Sequence, residues 1–96
     1  MIIAVSGPLS EDVEKFIYCK VEKNTIREQE SVFTPPGGRK ALIRQFLGLE
    51  IDLLIAGKLS EELEADLREA GIAVISNIDG VPEQILKQYL DGTLDF

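Results

Sequence analysis

The chain has 96 residues, 45% of them hydrophobic, which suits one globular domain spanning residues 1–96. Its net charge of −7 argues against nucleic acid and anionic membranes as partners, because contacts to phosphate need a basic face. Histidine is absent and cysteine occurs once, as Cys19, which excludes catalytic triads, Cys-His dyads and ordinary zinc sites.

The first half of the chain predicts three strands. Residues 1–5 form an unbroken apolar run, which is typical of a strand covered on both faces. Over residues 15–22, Phe16, Tyr18 and Lys20 alternate with Ile17, Cys19 and Val21, and this aromatic and β-branched content predicts a strand. Lys23-Asn24 then supplies a tight turn into a strand over about residues 25–33. The middle of that strand is polar, so we expect it toward a sheet edge, where charge blocks unwanted pairing.

The second half predicts helices that alternate with short buried strands. Apolar residues recur at helical spacing after Arg39, and Gly48 is placed to end that helix. Ser60 is a good N-cap for the next helix, and Pro82 fits the first turn of the last one. The first predicted helix covers about residues 39–47, the second runs from the Ser60 cap to a stop at Gly71, and the last opens at Asp79 or Gly80 and ends before Gly92. The strands between the helices cover 52–56 and 72–75.

The predicted order is therefore β-β-β-α-β-α-β-α. Short links make the first three strands antiparallel, whereas crossovers through helices make the later strands parallel neighbours. The expected fold class is α/β, with a mixed five-stranded sheet flanked by helices.

The candidate ligand site centres on the segment TPPGGRK. Pro35-Pro36 must stop the preceding strand, and Gly37 and Gly38 allow unusual backbone conformations and close approach. Arg39 and Lys40 follow in the first helical turn, where the helix dipole disfavours cations. This placement predicts an anion held by free N–H groups and two positive side chains. Alternatively, both side chains simply extend into water.

A second glycine turn, Gly57-Lys58, ends the next buried strand. Both turns are expected where strands pass into helices, an edge at which α/β proteins often bind ligands. The segment IAGKLS lacks the GxxxxGK[ST] spacing of a P-loop, so it does not predict nucleotide binding. The predicted ligand-binding residues are Gly37, Gly38, Arg39, Lys40, Gly57 and Lys58, with no metal ligand among them.

Three stretches carry a resemblance to a known family: IIAVSG, PPGGRKALIRQFLGLEIDLLIAG and LREAGIAVISNIDGVPEQILKQYLDGTL. Together they resemble the dinitrogenase iron-molybdenum cofactor biosynthesis family over nearly the whole chain. Those small domains carry or scaffold metal clusters made for nitrogenase. The resemblance implies a ribonuclease H-like fold, a carrier function without enzymatic activity, and a cluster-assembly protein as partner.

The chain departs from the family at the metal-binding segments. Members that bind a cluster commonly have a His-Phe-Gly-Arg-type segment and a histidine near the glycine-rich loop, whereas this chain reads EDVEKF and TPPGGRK. Imidazole ligation is therefore impossible. An iron-molybdenum or iron-sulfur cluster, or another compact anion, would be held by N–H groups and cations. Cys19 is the sole soft ligand, and its mid-strand position favours a small buried hydrophobe instead.

A ribonuclease H-like fold also raises the alternative of a nuclease, which needs several carboxylates around magnesium. The first strand is wholly apolar and lacks the acid that those enzymes carry there. Asp12, Asp52 and Asp79 are the nearest candidates, and we interpret them as loop or cap residues.

Two hypotheses of function remain. The first is a carrier for a metal cluster or small anion. We expect it in the cytoplasm, because the first 16 residues lack the basic lead and long apolar core of a secretory signal. The second is a protein-interaction module that keeps the fold but has lost the ligand site, for example a homodimer along the edge of the third strand.

Overall fold

The computed structural model describes residues 1–6, 15–34, 37–78 and 80–93. Five strands and three helices follow the predicted order: β1 (Ile2–Val5), β2 (Lys15–Glu22), β3 (Thr25–Phe33), α1 (Gly38–Gly48), β4 (Leu53–Ile55), α2 (Glu61–Glu69), β5 (Ala73–Ile75) and α3 (Pro82–Asp91). The strand stop at Pro35-Pro36 and the loop or cap roles of Asp12 and Asp79 lie outside the described residues.

The five strands form one mixed sheet in the order β3-β2-β1-β4-β5. β2 runs antiparallel to both β1 and β3, whereas β1, β4 and β5 are parallel to one another. This is the mixed five-stranded sheet expected from the sequence, and the α/β fold class is confirmed.

Two hydrophobic clusters cover the two faces of the sheet. On one face α1 and α2 pack against the strands, and the rings of Phe16 and Phe46 meet edge to face with centroids 4.9 Å apart. On the other face, Ile85 and Leu86 of α3 cover a cluster that includes Cys19. β1 contributes to both clusters, which explains its unbroken apolar sequence.

β3 is an edge strand, as its polar middle predicted. Eight of its nine residues are exposed and the other, Val32, is half-buried. Phe33 has 74% of its surface exposed and Ile26 has 40%. A β-bulge interrupts its pairing with β2 next to Lys20. Bulges and charges of this kind are common devices at sheet edges.

The helix ends differ in how they are capped. Ser60 Oγ accepts a hydrogen bond from Leu63 N at 3.1 Å, which confirms the predicted N-cap of α2. Gly92, with φ of 75°, ends α3 in the left-handed conformation. None of the helices in the described ranges has the length and apolar character needed to cross a bilayer.

Candidate functional site

The two predicted glycine turns lie at the same end of the sheet, the edge formed by the carboxyl ends of β1, β3 and β4. β1 and β4 are parallel, and two successive antiparallel pairings give β3 the direction of β1. The turn that contains Gly37-Gly38 follows the carboxyl end of β3, and the turn that contains Gly57-Lys58 follows the carboxyl end of β4. In open α/β folds, ligands bind outside this edge of the sheet.

The glycines before α1 are required by the backbone. Gly37 has φ of 114° and Gly38 has φ of 75°, a region that other residues rarely adopt. A Cβ atom at Gly37 would also lie 3.1 Å from Cβ of Ala41, whereas one at Gly38 would meet no atom within 4 Å. Gly37 is therefore fixed by conformation and space, and Gly38 by conformation alone.

The N-terminus of α1 differs from that of α2. The N-cap residue of α1 is Gly37, which has no side chain to act as a cap, and the first turn of the helix has no acidic residue. α2 begins with the Ser60 cap and has three glutamates in its first turn, Glu61, Glu62 and Glu64. Since the first N–H groups of a helix lack partners within the helix, the start of α1 offers donors and a positive dipole end to an anion.

Arg39 does not extend freely from α1, because it pairs with two carboxylates of α2. Its Nη1 donates to Glu62 Oε2 at 2.9 Å, and its Nε lies 2.7 Å from Asp66 Oδ2. The charge of Arg39 is thus balanced within the chain, whereas the sequence predicted either an anion as its partner or a side chain that extends into water. The Nε atom is buried at its contact with Asp66, so it faces the carboxylate and not the solvent.

The two lysines of the predicted site are exposed. Lys40 lies in the first turn of α1 and Lys58 in the turn after β4. Arg39 is the one predicted site residue that forms an ion pair among the described residues. Within the described ranges, Lys40 and Lys58 thus have no carboxylate partner, and each lies next to one of the two glycine turns.

The Gly57 turn is buried and bonded to the turn that follows β5. Asn77 N donates to Gly57 O at 2.9 Å, and Ile78 N donates to Ala56 O at 3.1 Å. Asn77 has φ of 62°, a left-handed conformation that asparagine tolerates. The carbonyl of Gly57 is therefore engaged in holding two turns together, and Lys58 is the exposed part of this turn.

One contact at the end of β3 was not predicted from the sequence. Gln45 Nε2 donates to Phe33 O at 2.8 Å, which ties α1 to the end of β3. The Oε1 atom of the same side chain is buried and has no hydrogen-bond partner among the described residues. A polar residue on a helix gives no sequence signal of such a contact, because the contact depends on how α1 packs against the sheet.

The other candidate residues lie away from this edge. Cys19 is fully buried on the α3 face of the sheet, and burial raises the pKa of its thiol. Asp52 accepts a hydrogen bond from Ile2 N at 2.8 Å at the opposite edge, a structural role that fits its interpretation as a loop residue. Among the described residues, no group of three or more acidic, cysteine or histidine side chains could hold a metal ion.

An open groove of about 480 Å³ separates β3 from α3. Its walls include Ile26 and Gln29 of β3 and Glu83, Lys87 and Asp91 of α3. The groove lies on the α3 face of the sheet, and the sequence did not predict it as a site.

Comparisons with known proteins bear on the fold alone. No family model matches the chain, and no curated protein matches it in sequence. The crystal structure of a protein named PH0822 is similar, with a TM-score of 0.87 at 14% identity. The similarity covers 100% of this chain and 94% of that protein. The fold is thus found in another protein over nearly its full length.

Proposed function

We propose that this chain is a non-enzymatic binding domain that holds a compact anion or a small metal cluster at the Gly37-Gly38 turn, as its resemblance to the dinitrogenase iron-molybdenum cofactor biosynthesis family implies. The observation that carries the proposal is the start of α1. Two left-handed glycines lead into a helix whose N-cap, Gly37, has no capping side chain and whose first turn has no acid. Such a terminus favours negative charge.

Side chains add to the backbone donors at this turn. Lys40 is exposed in the first turn of α1, and Lys58 is exposed on the turn that follows β4, at the same end of the sheet. Arg39 lies in the same helical turn, but its guanidinium is paired with Glu62 and Asp66. An anion at the turn would compete with these two carboxylates for Arg39, which limits affinity.

The chemistry of these donors favours a carrier that releases its cargo. Neither histidine nor cysteine lies at this edge, so the cargo would be held by hydrogen bonds and charge and not by ligation. Electrostatic binding of this kind weakens with salt and exchanges readily. A cytoplasmic domain with these properties suits transfer of a cluster to or from an assembly protein.

A pair of substitutions at Gly38 tests the proposal. Aspartate and asparagine both tolerate the left-handed conformation, and a Cβ at Gly38 meets no atom within 4 Å. Gly38→Asp should abolish the rise in melting temperature that molybdate or phosphate produces, whereas Gly38→Asn should largely keep it. If both variants respond to the anions like the unmodified chain, the site is not at this turn. Metal analysis of protein purified without oxygen, before and after addition of molybdate and iron sulfide, tests for the cluster itself.

A second candidate function is favoured by a different observation. The open edge of β3 makes the chain a candidate interaction module that keeps the fold and acts through protein contacts. Recovery of a stoichiometric partner that is lost on substitution of β3, together with no retention of metal or anion, would favour this function over the carrier.

A further inference from the structure

The hydrogen bonds between Met1 and β2 determine which backbone groups of β3 face β2 and which point away from the sheet. Val21 of β2 donates to Met1 O at 2.8 Å and accepts from the Met1 amino group at 3.0 Å, so its backbone faces β1. Bonding direction alternates along an antiparallel strand, so the backbone of Tyr18 faces β3. Tyr18 is opposite Glu30, and these two residues form a hydrogen-bonded pair of the β2-β3 ladder.

The residues on either side of Glu30 therefore face outward. Gln29 and Ser31 direct their N–H and C=O groups away from β2, and no other strand lies beyond β3 among the described residues. Phe33 has the same orientation, but its carbonyl accepts the hydrogen bond of Gln45. The unpaired backbone groups are thus centred on Gln29 and Ser31. An edge of this kind is a template for an added strand.

The side chains along this edge carry unpaired negative charge. Glu28 and Glu30 are both exposed, and neither forms an ion pair within the described ranges. Lys20 is opposite Glu28 in β2 but does not reach ion-pair distance. The arginine of the strand, Arg27, pairs with Glu22 at 3.5 Å. The two glutamates lie two residues apart, so they share one face of the strand.

A second copy of the chain fits this edge poorly. Antiparallel pairing of β3 with itself through the outward groups needs a two-fold axis at Gln29, Glu30 or Ser31. The axis at Gln29 places Glu28 opposite Glu30 of the second copy, and the axis at Glu30 places Glu30 opposite Glu30. Both arrangements are unfavourable, because like charges directly opposite each other are destabilising. The third places Gln29 opposite Phe33, whose carbonyl is already bonded.

We propose that β3 is a docking edge for an extended basic segment of another protein. The segment adds as a sixth strand, bonds to the backbone of Gln29 and Ser31, and places lysine or arginine at two alternate positions beside Glu28 and Glu30. Opposite charges across neighbouring strands stabilise such pairing. This proposal names the partner class for the second function above, on which it rests, and it is independent of the anion site.

Synthetic peptides of opposite charge test the docking edge. The probe is acetyl-TVKVKVT-amide, and the control is acetyl-TVEVEVT-amide. The lysine peptide should give saturable shifts in ¹⁵N-resolved NMR spectra that centre on β3, with slower amide exchange at Gln29 and Ser31. Its affinity should fall as salt is raised. Equal binding of the two peptides, or no saturable shift at about 1 mM peptide, would overturn the proposal.

Substitutions separate the backbone and charge contributions. Ser31→Pro removes an outward N–H while leaving the bonds to β2 intact, and proline is tolerated on edge strands. It should abolish peptide binding, whereas Ser31→Ala should not. The double variant Glu28→Lys, Glu30→Lys should bind the lysine peptide at least about tenfold more weakly. Unchanged binding in that variant would overturn the proposal, even if the proline variant failed to fold.

Two further readouts keep this proposal separate from the others. The control variant Glu50→Lys, Glu69→Lys makes the same charge change on exposed residues elsewhere and should leave peptide binding within about twofold. Sedimentation of the chain alone should give a monomer. A dimer with protected amides in β3 would identify a second copy as the occupant and overturn the proposal. In the same spectra, the amides of Gly38 and Lys40 report on anions independently.

Discussion

Release of Arg39 from α2 should strengthen anion binding while weakening the fold slightly. The double variant Glu62→Gln, Asp66→Asn removes both carboxylates that contact the guanidinium, at 2.9 and 2.7 Å, and keeps the size of each side chain. The side chains of Arg39, Glu62 and Asp66 are 36%, 77% and 38% exposed. Pairs this exposed each contribute about 0.2–1 kcal/mol. The free energy of unfolding should therefore fall by roughly 0.4–2 kcal/mol in total.

The expected gain in anion affinity has two sources. The variant removes two negative charges beside the start of α1, and it frees the guanidinium of Arg39 to donate to a bound anion. A gain of about 1.4 kcal/mol corresponds to a tenfold lower dissociation constant. Calorimetric titration with molybdate at low salt measures this constant, and urea denaturation measures the stability.

The matched control is Glu61→Gln, Glu69→Gln. It removes the same number of charges from α2, but neither residue contacts Arg39. The control should raise molybdate affinity less than the Glu62, Asp66 variant does. If the two variants bind molybdate alike, and Arg39→Ala binds like the unmodified chain, Arg39 has a structural role only and does not belong to the ligand site.

Two other predictions concern the two faces of the core. Phe46→Ala removes a fully buried ring that packs edge to face on Phe16, so urea denaturation should show a loss of about 3–5 kcal/mol; a loss below about 1 kcal/mol would contradict this packing. Because burial raises the pKa of Cys19, the folded chain keeps its proton above pH 9.0, the ordinary thiol value, while the unfolded chain loses it. The thiol should then favour folding up to that pH and lose this contribution as the pH rises toward the folded pKa, by up to about 1.4 kcal/mol per pH unit. Between pH 8 and pH 10 the unmodified chain should lose more free energy of unfolding than Cys19→Ala does. Equal losses in the two proteins would contradict the prediction.

The fold was predictable because each element has a clear period in the sequence. The alternation over residues 15–22 and the Lys23-Asn24 turn placed the β2-β3 hairpin correctly, and both turn residues have positive φ in the structure. The polar middle of β3 placed it at the edge. Short apolar runs between helices indicated buried parallel strands, and the sheet order confirms them.

The interactions around the candidate site were not predictable in the same way. Arg39 is 23 residues from Glu62 along the chain, and nothing local to either residue indicates their contact. The bond from Gln45 to the carbonyl of Phe33 likewise depends on where α1 lies on the sheet. Sequence patterns identify which face of a helix is buried, but long polar side chains find partners only after the helices are placed.

The most direct test of the proposed function is an NMR titration of the ¹⁵N-labelled chain with molybdate at low salt. Saturable shifts centred on the amides of Gly38, Arg39 and Lys40 are expected, and they should be absent in Gly38→Asp but retained in Gly38→Asn. Shifts that remain linear with concentration and spread over the surface, or that centre on another part of the chain, would contradict an anion site at the start of α1.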